Sequence, residues 1–186
     1  MLRRAALLAV VLVMTACATA PKPEKKEQAI APETRAAYDK ALTLLRADRY
    51  KASIEAFHEV TERNDALAGP YVNMGIAYRA LHDDDNARDA FEKAIKRDPG
   101  SGAAYNQLGL LYRHAGEFAK ARTAYETGLK AEPDYLHLYI NLGILCDIYL
   151  QDPECALRNY REYQSRSDGN DDKIKRWIAD VQRRVQ

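Results

Sequence analysis

Three cysteines and four histidines are the residues of this 186-residue chain best suited to nucleophilic, redox or metal chemistry. Cys17, Cys146 and Cys155 form no CxxC pair, and His58, His82, His114 and His137 share no spacing that would set two imidazoles on one helix face. His82 precedes Asp83-Asp84-Asp85, but consecutive residues at a helix start point in different directions, so this run is expected to cap a helix and not to hold a metal. There is no GxSxG, HExxH or Walker-type glycine loop, and acids such as Glu59 and Glu62 read as exposed helix charges. The expectation is a protein that is not an enzyme and carries no metal and no cofactor. With 28 Lys+Arg against 27 Asp+Glu the chain has no basic field for gathering phosphates, so no nucleic-acid partner is expected.

The first cysteine has a context of its own. Arg3 and Arg4 precede an apolar run over 5–14, far shorter than the roughly 20 residues of helix that span a bilayer, which reads as an export signal. The run ends Val13-Met14-Thr15-Ala16-Cys17, which resembles a bacterial lipobox with Met14 where leucine is more usual. The resemblance implies that 1–16 is a lipoprotein signal peptide and that Cys17 becomes the N-terminus and carries lipid, palmitate included. Alternatives are cleavage near Ala18 or Ala20, or an uncleaved anchor. Ala18, where an aspartate would mark retention at the inner membrane, resembles lipoproteins sorted to the periplasmic face of the Gram-negative outer membrane. Residues 17–33, with Pro21, Pro23 and Pro32, are expected to form a flexible tether reaching up to about 45 Å from the lipid surface.

The remainder is organised by a period of 34. Tyr71, Met74, Gly75, Tyr78, Ala87, Phe91, Ala94 and Pro99 return as Tyr105, Leu108, Gly109, Tyr112, Ala121, Tyr125, Gly128 and Pro133. Both halves of the unit are helical stripes at three- and four-residue spacing, with Asp83 to Asn86 supplying turn and cap chemistry between them and Asp98-Pro99-Gly100 ending the second. The pattern resembles the tetratricopeptide repeat (TPR), an antiparallel helix pair with small residues where the helices cross and a proline closing the second helix.

Shifting back by 34 finds a degenerate unit with Ala37, Ala41, Leu44, Ser53, Phe57 and Val60. Shifting forward finds Tyr139, Leu142, Gly143 and Cys146, then Ala156 and Tyr160 one residue late, so a one-residue insertion is expected in the turn 151–154. The predicted fold is therefore all-α: a solenoid of about four helix pairs over 34–168 (34–67, 68–101, 102–135 and 136–168). A capping helix over 170–186 places Ile174, Trp177, Ile178, Val181 and Val185 on one face. Its basic side, Lys173, Lys175, Arg176, Arg183 and Arg184, reads as a solvated face or a docking surface. In an oxidising compartment, Cys146 and Cys155 are either a disulfide across the fourth hairpin or two separate buried thiols.

Stacked helix pairs turn their first helices inward, so residues recurring every 34 positions there line a concave face. One ladder is Leu42, Ile76, Leu110 and Ile144; beside it run Tyr38, Val72, Asn106 and Ile140, with Arg79 and Arg113 one turn away. This surface suits an apolar or amphipathic polypeptide segment carrying a carboxylate, the arginines fixing its orientation. The same positions read equally as residues packing neighbouring helices. Repeats that clamp a terminal carboxylate with an asparagine and Lys/Arg set are a poor match, because Leu42, Ile76 and Leu110 stand where that asparagine would be. The expected function is a membrane-anchored adaptor that assembles or holds an envelope complex. Narrower versions are a pilotin-like factor for the secretins of type IV pili, or an adaptor for cell-wall hydrolases.

Overall fold

The 34-residue register translates directly into helix boundaries. The computed structural model describes residues 30–185, which form α1 Pro32–Arg46, α2 Tyr50–Arg63, α3 Ala68–Ala80, α4 Asp84–Arg97, α5 Gly102–His114, α6 Phe118–Ala131, α7 Leu136–Ile144, α8 Pro153–Arg166 and α9 Asp172–Arg184, with no strand among the described residues. The signal segment 1–16, Cys17 and nearly all of the expected tether lie outside the described residues. α1 starts at Pro32, two residues inside the stretch assigned to the tether. Proline suits the first turn of a helix, where its missing N–H has no partner to lose and its fixed φ is already helical.

The helices pair as α1–α2, α3–α4, α5–α6 and α7–α8, and the four turns within the pairs share one design. Each has a single residue in the left-handed region: Asp48 (φ 55°), His82 (59°), Gly116 (75°) and Gln151 (52°). The next residue donates its N–H back into the first helix, Arg49 to the Leu44 carbonyl, Asp83 to Tyr78 and Glu117 to Tyr112, each spanning five residues. In the fourth unit Asp152 donates to Cys146, six residues back. The turn itself has kept its length, and the extra residue sits in the helix before it. There α7 runs on as a π-helical turn, Leu145–Tyr149, closed by the Leu150 N–H on the Leu145 carbonyl at 3.0 Å. The insertion expected over 151–154 is thereby relocated: a turn built around one left-handed residue has no room for another, whereas a helix absorbs one residue by widening a single ring of hydrogen bonds.

Within the second, third and fourth pairs the helices approach closely because a glycine lies beneath an aromatic ring; the first pair has Ala41 at that position, in one cluster with Phe57. A Cβ on Gly75 would stand 2.3 Å from the Phe91 ring, one on Gly109 2.3 Å from the Tyr125 ring, and one on Gly143 2.5 Å from the Tyr160 ring, all too close for a side chain. Between pairs the fit is also graded by size. Ala94 and Ala104 share one buried cluster, and their counterparts one period later are Gly128 and Leu138. The larger leucine fits because a Cβ on Gly128 would stand only 2.9 Å from its methyl groups.

Successive first helices touch directly, α1 on α3, α3 on α5 and α5 on α7, while second helices meet their neighbours through the first helix of the next pair. The first helices therefore lie on the inside of the curve. At the far end α9 packs on α8, its first turn capped by the Asp171 carboxylate, which accepts from the N–H groups of Lys173 and Ile174. Ile174, Ile178 and Val181 are buried, and the Trp177 ring lies 5.4 Å from that of Tyr160. Val185 does not join this face: the helix ends at Arg184, and Val185 is exposed beyond it. Cys146 and Cys155 are joined by a disulfide between the end of the first helix and the start of the second in the fourth pair, with Cα atoms 5.8 Å apart. No described helix is long and apolar enough to cross a membrane.

Candidate partner-binding groove

The inner face is built from the exposed flank of each first helix. Leu42, Ile76, Leu110 and Ile144 come from α1, α3, α5 and α7 at one register, and all four are half-buried. One side of each faces inward. Leu42 packs against the cluster that holds Phe57 and Tyr71, Ile76 against that of Phe91 and Leu108, and Ile144 against that of Tyr160. The ladder is thus wall and core at once, which is why its spacing alone did not assign it to either.

The second ladder divides. Val72 and Ile140 are half-buried aliphatics, but Tyr38 and Asn106 spend their polar groups inside the protein. The Asn73 amide donates to the Tyr38 hydroxyl at 2.8 Å, and the Asn141 amide donates to the Asn106 carbonyl oxygen at 2.8 Å. Asn106 is only 3% exposed, and burial raises the Tyr38 pKa although the bond from Asn73 opposes the shift. Both residues join one repeat to the next; Asn106 is thereby closed to a partner, while Tyr38 is only half-buried. Each asparagine follows its acceptor by 35 residues, a recurrence already present in the sequence.

Arg79 and Arg113 lie half-buried one turn along this wall. Nε of Arg79 and Nη1 of Arg113 are buried and meet no acceptor among the described residues. Other arginines differ: Arg88 pairs with Asp85, Arg97 with Asp65, Arg122 with Glu126 and Arg166 with Glu162. A third donor lies with them. Tyr125 is fully buried, its hydroxyl has no partner among the described residues, and loss of solvent pushes its pKa up to about 12, against the opposing pull of Arg113 and Arg79. Sequence reasoning missed Tyr125 because it occupies the same core position as Phe91, and only its hydroxyl sets it apart. The ring of Tyr149, 5.9 Å from the Arg113 guanidinium carbon, is 43% exposed and packs at a tilt on Phe118 at 4.9 Å.

One period after Arg113 the chain has Asp147 in its place. The Asp147 carboxylate accepts from the Tyr160 hydroxyl at 3.4 Å and from Arg184 at 2.5 Å, so the end of α9 neutralises it. Much of the basic side of the cap is used likewise: Lys175 pairs with Asp172, Arg183 with Asp180, and Lys173 lies over Trp177. Among the described residues no group of three His, Cys, Asp or Glu could hold a metal ion. The outer side carries furrows that the sequence reading did not single out. One of about 380 Å³ is bordered by Tyr105, Leu108, Tyr112 and Thr123, and a counterpart one repeat earlier by Tyr71, Met74, Tyr78 and Asp89.

Residues 72–145 match the family model described as tetratricopeptide repeat. No curated protein sequence matches the chain. Among solved structures the chain is similar to PilF of Pseudomonas aeruginosa, with a TM-score of 0.72 at 14% identity over 82% of this chain and 68% of that one. It is also similar to a thermophilic TPR protein of Thermus thermophilus, with a TM-score of 0.68 at 21% identity over 80% of this chain and 81% of that one. MamA of Desulfovibrio magneticus gives a TM-score of 0.66 at 20% identity over 84% and 88%. These likenesses establish the fold as a solenoid of helix pairs.

Proposed function

We propose that this protein is a lipid-anchored adaptor that holds a segment of an envelope protein against its concave face, at the periplasmic side of the outer membrane. The observation that carries this reading is the inner wall itself. Half-buried aliphatic side chains repeat along four first helices beside two arginines that no carboxylate among the described residues neutralises. Apolar contacts along such a wall supply affinity, and the guanidinium groups orient an acidic group on the bound segment. Its action is non-catalytic. Anchoring is assigned to Cys17 on the lipobox resemblance, and sorting to the outer membrane on Ala18.

A photoreactive residue placed at Ile76 or Leu110 in intact cells is expected to crosslink one defined envelope partner. The double substitution Ile76→Ser and Leu110→Ser should reduce capture of that partner about tenfold, since a few apolar anchors carry most of the energy of an interface. Far-ultraviolet circular dichroism should be unchanged. Collapse of the helical signal would show the two residues to be core alone. Cys17→Ser should abolish labelling by a palmitate analogue and release the protein from membranes; a variant that stays membrane-bound refutes the anchor.

The superposition on PilF favours a narrower second reading, a pilotin-like factor in the assembly of type IV pilus secretins. Deletion of the gene should then abolish secretin multimers and twitching. Normal multimers in the deletion strain would leave the general adaptor, of which a recruiter of cell-wall hydrolases is one form.

A further inference from the structure

We propose that Arg79, Arg113 and the hydroxyl of Tyr125 form a seat for one carboxylate of the bound polypeptide, with the Tyr149–Phe118 pair taking a large apolar side chain beside it. The proposal rests on the concave face being the binding face, and it names the chemistry recognised there.

The argument comes from comparing two successive repeats. In the fourth, a buried tyrosine hydroxyl (Tyr160) and an arginine (Arg184) converge on the carboxylate of Asp147. In the third, the tyrosine at the equivalent core position is Tyr125, and the residue one period before Asp147 is Arg113. The hydroxyl and the arginine are both present there, and the described residues supply no carboxylate between them. Arg79, from the repeat before, adds a second cation, and both arginines act electrostatically on Tyr125. The only carboxylate at this register, Asp147, is engaged by Arg184. Three donors with no acceptor, two of them cationic, are matched by an anion, and a carboxylate does at Arg113 what Asp147 does one repeat along. Both arginines are half-buried as whole residues, so neither side chain is sealed off from an entering anion. The neighbouring Tyr149 is an exposed aromatic face on the wall of the same site, and it selects an apolar group next to the acid.

The probe is 3-phenylpropionate, which joins a carboxylate to an aromatic arm, with 3-phenylpropanol as its uncharged counterpart. Titrated into the full chain and followed through the side-chain Nε–H resonances of Arg79 and Arg113, the acid should give saturable shifts in the millimolar range, as a ligand of this size allows. The alcohol should not. Arg113→Gln should abolish the response. Tyr125→Phe should weaken it about three- to tenfold, as loss of a hydrogen bond to a charged group predicts. The same variant should melt at an unchanged temperature or up to about 3 °C higher, because it deletes a buried hydroxyl without a partner among the described residues and Phe91 already fills that position in the second repeat. A merely structural tyrosine would instead lower stability and leave affinity alone. Static arginine signals, an equal response to the alcohol, or undiminished affinity in Tyr125→Phe overturns the seat. Crosslinking from Ile76 and Leu110 separates the two readings. Capture that persists at full strength in Arg113→Gln overturns the seat and keeps the groove, whereas loss of all capture with the acid still bound overturns the groove and keeps the seat.

Discussion

Phe91, Tyr125 and Tyr160 fill one hole three times, each ring lying over the glycine of the facing helix, so what distinguishes the repeats at this position is a single oxygen atom. In Tyr160 that oxygen donates to Asp147; in Tyr125 it has no acceptor among the described residues. The consequence for stability can be read against pH. Burial holds the Tyr125 proton to about pH 12, whereas an unfolded tyrosine releases it near 10. Below pH 10 the hydroxyl is neutral in both states and the stability is fully present. As pH rises from 10 to about 12 the unfolded chain ionises while the folded one does not, and on the order of 2 kcal/mol is lost. Tyr125→Phe removes this contribution. Urea unfolding at pH 9 and at pH 11.5 should show a smaller drop for the variant than for the wild type, with Tyr160 and Tyr38, both also raised by burial, supplying the shared remainder. Equal drops in the two proteins would mean that Tyr125 ionises like an exposed phenol.

At the scale of the helix, the fourth unit shows how a repeat accepts an extra residue. The left-handed turn residue and its two neighbours are kept, and α7 widens into the π-helical turn that carries Asp147, Ile148 and Tyr149. Ile148 and Tyr149 emerge from it exposed, the former at 62%, so the insertion also sets the apolar end of the inner wall. The Cys146–Cys155 bridge spans this region. A loop of ten residues closed by a disulfide stabilises by about 2.5 kcal/mol in the chain-entropy model. Because each repeat contacts only its neighbours, reduction should act locally. Amide exchange in α7, α8 and α9 should quicken by about one to two orders of magnitude while α3 and α4 keep their protection, and a uniform loss of protection would show the repeats to unfold as one unit. The sequence made much of this legible. The period of 34, the small residues at the helix crossings and the turn chemistry between the helices all follow from local chemistry and recur, whereas the aromatic ring over each glycine is visible only in the packing. The site of the insertion was not legible, since a π turn and a longer loop give the same offset in a one-dimensional register. Nor was the division of Tyr38 and Asn106 from Val72 and Ile140. That division depends on hydrogen bonds to asparagines 35 residues on, and a helical stripe assigns direction without assigning partners.

Across the whole molecule the inner wall changes sign along its length, from Arg79 and Arg113 to Asp147, and the last helix decides how much of that change a partner meets. α9 covers Tyr160 with Ile174, Ile178 and Val181, and its final turn brings Arg184 onto Asp147. Cap and charge are therefore separable. Deleting 169–186 exposes the last core: burying three such side chains is worth roughly 5 kcal/mol, more than a single repeat holds in reserve, so α7 and α8 should fray and the protein should associate. Arg184→Ala leaves the apolar cover in place and costs only about 1 kcal/mol, because the arginine is half-exposed and Asp147 still has Tyr160. Its larger effect is electrostatic, since it frees a carboxylate at the register of the arginines and close to Tyr149. A carboxylate-bearing segment then meets an uncompensated negative charge at the end of the wall, and its affinity should fall about threefold or more, the loss shrinking as salt screens it. Measuring 3-phenylpropionate affinity in Arg184→Ala at low and high ionic strength tests this directly. An affinity that stays at the wild-type value at both would show that Asp147 is not part of the field the partner meets, and that α9 serves the solenoid only as its cover.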